Sequence, residues 1–201
     1  MDVGGDVYDF LELADGRLAV VLGDVTGHGI DAAADMAMAK FVFRSLAREH
    51  SDPPEFLAAA NEIVVEEIGE GKFITMLYLT ADGRAGELAC SSAGHPPPRV
   101  VRGREVAPLG VHGLALGIAA GQAYGAEHVQ LDPGDAAVLF TDGLLEARRD
   151  GELYGEERLD AALAANAALP AEELAQALVE DCRGFAGELA DDCAVVVVKR
   201  A

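Results

Sequence analysis

The sequence predicts an α+β fold in which two stacked, mostly antiparallel sheets each carry a pair of helices on the outside. Short alternating segments joined by tight turns are typical of hairpin-linked strands, which pair antiparallel. The helical patterns come in two separate runs and do not alternate with strands, which favours α+β over a doubly wound sheet. A chain of 201 residues is long enough to bury a core without disulfides or a structural metal.

The first half of the chain is predicted to contain a hairpin, two helices and a second hairpin. Asp15-Gly16 is a turn signal between two alternating segments. Ser51-Asp52-Pro53 offers an N-cap and a first-turn proline to the second helix. The predicted elements are strands over 7–13 and 17–22, helices over Ile30–Arg48 and Pro54–Ile68, and strands over 73–79 and 86–91.

The second half is predicted to contain short strands, two helices and a last strand. Pro170 is placed to begin the second of these helices. Residues 194–199 are almost all apolar and form the closing strand. The remaining predicted elements are strands over 99–101, 105–107, 124–131 and 136–140 and helices over 156–165 and 171–183.

The composition excludes some classes of partner. Asp and Glu number 35 against 15 Lys and Arg, a formal charge of −20, which argues against nucleic acid and anionic membrane surfaces as partners. No apolar run is long enough to span a membrane and no signal peptide opens the sequence. Three cysteines without metal spacing suit a reducing compartment. We therefore expect a cytoplasmic protein in which Cys182 and Cys193 are buried thiols.

Acidic residues lie at the ends of four predicted strands, and most have glycines beside them. Most of the acidity is explained by a solvated surface, but carboxylates gathered at sheet ends raise one another's pKa unless a cation neutralises them. Oxygen ligands suit Mg²⁺ or Mn²⁺ better than Zn²⁺, and two such ions are the usual arrangement for phosphoester hydrolysis. The four positions are Asp6, Asp24, Asp142 and the pair Asp191-Asp192.

Seven motifs occur in an order typical of one protein family. They are residues 4–10 (GGDVYDF), 23–29 (GDVTGHG), 71–76 (GKFITM), 92–97 (SAGHPP), 139–148 (LFTDGLLEAR), 153–159 (LYGEERL) and 191–196 (DDCAVV). In these motifs the chain resembles the SpoIIE/RsbU branch of the metal-dependent, 2C-like protein serine/threonine phosphatases (PPM superfamily) of bacteria. The resemblance runs from residue 4 to about residue 199.

The resemblance implies a four-layer α-β-β-α sandwich that holds two Mn²⁺ or Mg²⁺ ions. Asp6 would bind one ion and Asp24 would bridge both, which makes Asp24 catalytic. The Val25 carbonyl would take the place of a glycine carbonyl in eukaryotic relatives. Asp142 and Asp191 would complete the site, with Asp191 preferred to Asp192.

Several other residues near these motifs have more than one reading. His28 is either the general acid or a brace for the following helix, and both readings stay open. Asp9 is expected to be structural and His95 to belong to a rigid turn. Arg148 and Arg149 are expected to be solvated surface charges, although contact with a substrate phosphate is the alternative.

The resemblance also implies a function and a domain organisation. Residues 1–201 would form a single phosphatase domain without the strand that usually precedes the Gly-Gly-Asp motif. It would hydrolyse phosphoserine or phosphothreonine on a partner, such as a STAS-type anti-sigma-factor antagonist, by attack of a metal-activated water. Helices Ile30–Arg48 and Pro54–Ile68 would act as a switch set by an upstream sensor domain or an activator.

Two alternative functions stay open. A catalytically silent regulatory binding module of the same fold is disfavoured because no metal ligand is lost. A metallohydrolase of small phosphate esters or nucleotides is disfavoured because the sequence has no Gly-rich nucleotide cradle.

Overall fold

The computed structural model describes residues 5–27, 29–68 and 71–201, and the chain divides into two units. The first unit is Met1–His95 with Gly110–Gln130, and the second is Pro96–Leu109 with Leu131–Ala201. Each unit is an antiparallel sheet with two long helices packed against it. This confirms the predicted α+β class.

The elements follow the predicted order. They are β1 (Asp6–Glu12), β2 (Leu18–Val25), α1 (Gly29–Glu49), α2 (Pro53–Glu67), β3 (Ile74–Asp82), β4 (Glu87–Ala93), β5 (Arg99–Arg102), β6 (Glu105–Pro108), β7 (Glu127–Gln130), β8 (Ala136–Phe140), α3 (Asp142–Leu145), β9 (Arg148–Arg149), β10 (Glu152–Leu153), α4 (Gly155–Asn166), α5 (Ala171–Ala186) and β11 (Val195–Lys199). Among the described helices, none is both long and apolar enough to cross a membrane.

The sheet of the first unit has the order β1-β2-β3-β4-β7, with every described pair antiparallel. Its odd-numbered β2 residues, such as Val21, face the two helices, where the Phe56 ring stacks on Tyr78 at 3.8 Å between centroids. Side chains alternate along a strand, so Leu22 and Asp24 lie on the opposite face. That face is apolar and buried at Leu22 and becomes acidic at the strand end.

The sheet of the second unit has the order β11-β8-β5-β6 and packs its helix side on α4 and α5. Arg99 on β5 is only 1% exposed, and its guanidinium contacts Asp160 at 2.8 Å and Glu156 at 3.1 Å on α4. Both acids are partly exposed to water, so the two ion pairs with Arg99 are only partly desolvated. Arg99 therefore ties the sheet to α4.

Four details differ from the sequence-based predictions. The strand predicted to end at Leu22 continues to Val25, and the one predicted over 124–131 shortens to β7. Tyr124 lies outside β7, and its hydroxyl donates to the Leu114 carbonyl. The short elements α3, β9 and β10 have too few residues to show a period, and the sequence does not predict them. Cys193 is half-buried where we expected burial, because it lies in the loop before β11, whereas Cys182 is buried in the core as predicted.

Candidate active site

Asp6 and Asp24 lie directly opposite each other on the neighbouring strands β1 and β2. The Val25 amide donates a 3.1 Å hydrogen bond to the Gly5 carbonyl. Because hydrogen-bonded and non-hydrogen-bonded pairs alternate in an antiparallel ladder, Asp6 and Asp24 form a non-hydrogen-bonded pair, the kind with the closer side chains. Two carboxylates placed in this way repel each other unless positive charge lies near them. The fold thus brings two predicted ligands together.

Gly5 leaves space where two oxygens converge. A Cβ atom built on Gly5 would overlap both Asp24 Oδ1 and the Val25 carbonyl oxygen. The absent side chain therefore leaves these two predicted ligand oxygens side by side next to the Gly5 backbone. Carboxylate and carbonyl oxygens are the ligands that hard divalent cations prefer.

Thr26 fixes the end of β2, just after these oxygens. Its amide and its hydroxyl both donate to the Phe73 carbonyl, at 3.1 and 2.9 Å, and the Phe73 amide donates back to the hydroxyl at 2.9 Å. The chain then turns at Gly27, whose φ of 112° is unfavourable for other residues. The sequence order Asp-Val-Thr-Gly therefore anchors Asp24 and Val25 to β3.

Thr75 and His95 lie beside this site, and the sequence analysis assigned neither of them to it. Thr75 is the β3 partner of Asp24, so the two side chains share a face with Asp6. The Thr75 hydroxyl and the Nδ1 atom of the buried His95 are 2.9 Å apart. His95 is also held through its backbone, because the Ser92 hydroxyl donates to its carbonyl at 3.0 Å. The signal available in the sequence was the presence of Thr75 and His95 in two of the seven motifs.

In the second unit, the turn at Asp142 packs against Asp191 and Asp192. A Cβ atom on Gly143 would overlap the Asp192 carbonyl oxygen and lie 3.6 Å from the Asp191 Cβ. The buried Thr141 fastens this arrangement, because its amide donates to the Ala194 carbonyl at 3.1 Å and its hydroxyl accepts from the Ala194 amide at 2.9 Å. Asp142 and Asp191 are both exposed, and one Asp191 carboxylate oxygen accepts from the Asp192 amide at 2.8 Å.

The donor atoms in both units fit a hard divalent cation. The first unit offers two carboxylates and the Val25 carbonyl, and the second offers the carboxylates of Asp142 and Asp191. Within the described residues, no three Asp, Glu, His or Cys side chains form a preformed metal cluster. His28, the predicted general acid or helix brace, lies outside the described residues.

The neighbouring residues Asp9, Arg148 and Arg149 agree with their expected structural or surface roles. An Asp9 carboxylate oxygen is 2.6 Å from Nε of Arg44, a salt bridge that joins β1 to α1. Both Arg148 and Arg149 are exposed on the β9–β10 hairpin. None of these contacts involves a residue predicted to bind metal.

Comparison with known proteins places the chain in a family. The family described as Stage II sporulation protein E (SpoIIE) matches residues 14–201. Phosphoserine phosphatase RsbU of Bacillus subtilis (strain 168) is 27% identical over 201 residues, covering 98% of this chain and 60% of RsbU. Protein IcfG of Synechocystis sp. is 29% identical over 197 residues, covering 82% of this chain and 30% of IcfG. The chain thus spans 60% or less of the length of these two relatives.

Solved structures share the fold. The SiaA-PP2C domain of Pseudomonas aeruginosa superposes with a TM-score of 0.87 at 25% identity, covering 98% of this chain and 81% of that one. The RsbU and RsbW domains of Rv1364c from Mycobacterium tuberculosis give a TM-score of 0.86 at 30% identity, covering 98% and 55%. Since the SpoIIE match extends over most of the sequence, the chain belongs to the SpoIIE family of PP2C-type phosphatases.

Proposed function

We propose that this chain is a metal-dependent protein serine/threonine phosphatase domain that hydrolyses phosphoserine or phosphothreonine on a partner protein. The observation that carries the proposal is the cross-strand pair Asp6 and Asp24, with the Val25 carbonyl oxygen beside Asp24 at Gly5. Membership of the SpoIIE family supports it. The proposed ligands of two Mn²⁺ or Mg²⁺ ions are Asp6, Asp24, the Val25 carbonyl, Asp142 and Asp191.

Each residue of the proposed site has a separate task. Bound Mn²⁺ or Mg²⁺ would supply a Lewis acid that polarises the phosphoryl group and makes water nucleophilic at neutral pH. Asp6 and Asp24 supply negative charge at fixed positions, because the β1–β2 ladder and Thr26 hold their backbone. Preorganised charge of this kind needs little rearrangement during the reaction. His28 is proposed to give a proton to the leaving serine or threonine oxygen.

The proposed partner and regulation rest on the resemblance to the SpoIIE/RsbU branch. The proposed substrate is a phosphorylated STAS-type anti-sigma-factor antagonist, and the proposed compartment is the cytoplasm. Helices α1 and α2 are proposed to respond to an upstream sensor domain or an activator. The silent binding module remains the alternative, and only a turnover measurement separates the two.

The test is hydrolysis of p-nitrophenyl phosphate and of a phosphoserine peptide with Mn²⁺, with Mg²⁺ and with EDTA. We expect turnover that requires the cation and falls about 100-fold or more in Asp24→Asn, because several kcal/mol of transition-state stabilisation depends on the cation. The matched control is Asp150→Asn, which removes a carboxylate on the exposed β9–β10 turn. Folded protein that turns over neither substrate at millimolar Mn²⁺ would favour the binding module.

The same assay distinguishes the two roles of His28. A serine oxygen is a poor leaving group and needs a proton, whereas p-nitrophenolate leaves readily without one. If His28 is the general acid, His28→Gln loses activity on the phosphoserine peptide and keeps it on p-nitrophenyl phosphate. If His28 only braces the following helix, both activities fall together.

A further inference from the structure

The outward face of α1 carries a basic and aromatic surface on an otherwise acidic protein. Four residues define this surface, which we call the α1 stripe: Lys40, Phe41, Arg44 and Arg48. At 3.6 residues per turn they fall within an arc of about 100° and extend over about 12 Å of the helix. Phe41, in the middle of the stripe, is 78% exposed.

The charge of the stripe is opposite to that of the whole chain. The sequence from Met36 to Arg48 contains three basic residues and no Asp or Glu, although the chain carries 35 acidic residues and a formal charge of −20. Arg44 is partly neutralised by Asp9. For Lys40 and Arg48, no carboxylate within 4 Å is found in the described part of the chain. Within the described residues, the stripe thus presents two cations without an ion pair and an exposed aromatic ring.

The surface next to the stripe is concave. A cavity of about 210 Å³ lies between β1 and α1, and its lining includes Phe10, Arg44 and Arg48. The cavity has room for one or two side chains of a partner, with arginines at its wall.

We propose that the α1 stripe docks an acidic amphipathic helix of a partner protein. A helix laid along α1 repeats every 5.4 Å, so it can present an apolar residue to Phe41 while carboxylates on its flanks meet Lys40 and Arg48. In paired helices, apolar residues form the central contact, and charged residues on either side of it determine which partner binds. A second copy of this chain fits less well, because a two-fold contact would set the cations of one stripe, such as Lys40, against those of the other, such as Arg48. The inference does not depend on the proposed phosphatase activity, since it concerns binding alone.

The test is fluorescence anisotropy with a labelled helical peptide that has Leu every third or fourth position and Glu between. A peptide with Lys in place of each Glu serves as the probe control. We expect saturable binding of the acidic peptide that weakens with added NaCl, because charge pairs at an exposed rim are screened. Two changes, Lys40→Glu with Arg48→Glu and separately Phe41→Ser, are each expected to weaken binding at least tenfold.

Matched controls separate the stripe from general charge and apolar effects. Arg84→Glu with Arg104→Glu makes the same charge change at exposed positions elsewhere, and Leu153→Ser removes an exposed apolar side chain of the second unit. Both controls should bind like the unaltered protein. The proposal is overturned if the acidic peptide does not bind, or if the controls lose as much affinity as the stripe variants. Tighter binding to single-stranded DNA or phosphatidylserine vesicles, or a dimer in sedimentation that Phe41→Ser abolishes, would also overturn it.

Discussion

Thr26 shows how one hydroxyl can hold in place the strand end that carries two residues of the proposed site. Its hydroxyl both donates to and accepts from the Phe73 backbone, so Thr26→Val leaves the Phe73 amide without its acceptor. We expect a loss of about 1–3 kcal/mol in the free energy of unfolding, measured by urea denaturation. Activity should fall with it, because Asp24 and Val25 precede Thr26 directly.

Thr26→Ser is the control for that prediction, since it keeps the hydroxyl and removes only a methyl group. We expect it to remain within about 1 kcal/mol of the unaltered protein. Equal losses in the serine and valine variants would mean that the methyl packing matters and the hydrogen bonds do not.

The sequence could predict some residues of the site and not others, for a physical reason. Asp6 and Asp24 carry the same charge and lie at strand ends, so their chemistry alone suggests a shared cation. Thr75 and His95 have no such signature, and only the β2–β3 register sets Thr75 beside Asp24. A side-chain contact between residues 20 positions apart depends on how the strands pair, which composition and spacing leave open.

Among the secondary-structure elements, α2 is fastened to the loop before β7 by a buried asparagine. Asn61 is fully buried; its Nδ2 donates to the Ala119 carbonyl at 2.9 Å and its Oδ1 accepts from the Gly117 amide at 3.1 Å. The adjacent Glu62 accepts from the Gly121 amide at 2.7 Å. Because Leu116 of the same loop also bridges to β3 at Ile74, helix, loop and sheet are joined at one place.

Asn61→Ala should therefore loosen this loop and destabilise the protein. Two backbone groups lose their partners, and we expect a loss of about 2–4 kcal/mol in the free energy of unfolding. Asn61→Asp keeps an acceptor for the Gly117 amide but sets a buried carboxylate against the Ala119 carbonyl and beside Glu62, so it should lose at least as much stability. Glu66→Ala, an exposed change on the same helix, should have little effect. Hydrogen exchange at the Gly117 amide provides the local readout. Unchanged exchange in Asn61→Ala would show that other contacts hold the loop.

The sequence predicts best the elements that have a regular apolar pattern along their length. α5 spans four turns with one apolar face and begins at Ala171 as predicted, directly after Pro170. β2, in contrast, runs past its predicted end because Gly23 allows a close approach of the Thr75 carbonyl, 2.7 Å from where a Cβ would lie. Glycine has no side chain to contribute to an alternating pattern, so its part in a strand appears only once the neighbouring strand is known.

Across the whole chain, the large negative charge must be considered together with the proposed cation site. A formal charge of −20 on 201 residues makes self-repulsion a cost to the folded state. Any salt reduces this repulsion by screening, so stabilisation by a divalent cation is not by itself a sign of a specific site. Binding of the cation to a specific site stabilises the protein beyond this screening effect, because a ligand that binds only the folded state shifts the folding equilibrium toward it by mass action.

We therefore expect Mn²⁺ to raise the melting temperature more than NaCl at the same ionic strength. At one hundred times the dissociation constant, a single site contributes about 2.7 kcal/mol. In Asp24→Asn this additional stabilisation should largely disappear, while the effect of NaCl stays the same. The variant without Mn²⁺ should be no less stable than the unaltered protein without Mn²⁺, because a carboxylate opposite Asp6 is lost and with it a repulsion between like charges. Equal Mn²⁺ stabilisation of both proteins would assign the whole effect to screening and remove the support for Asp24 as a ligand.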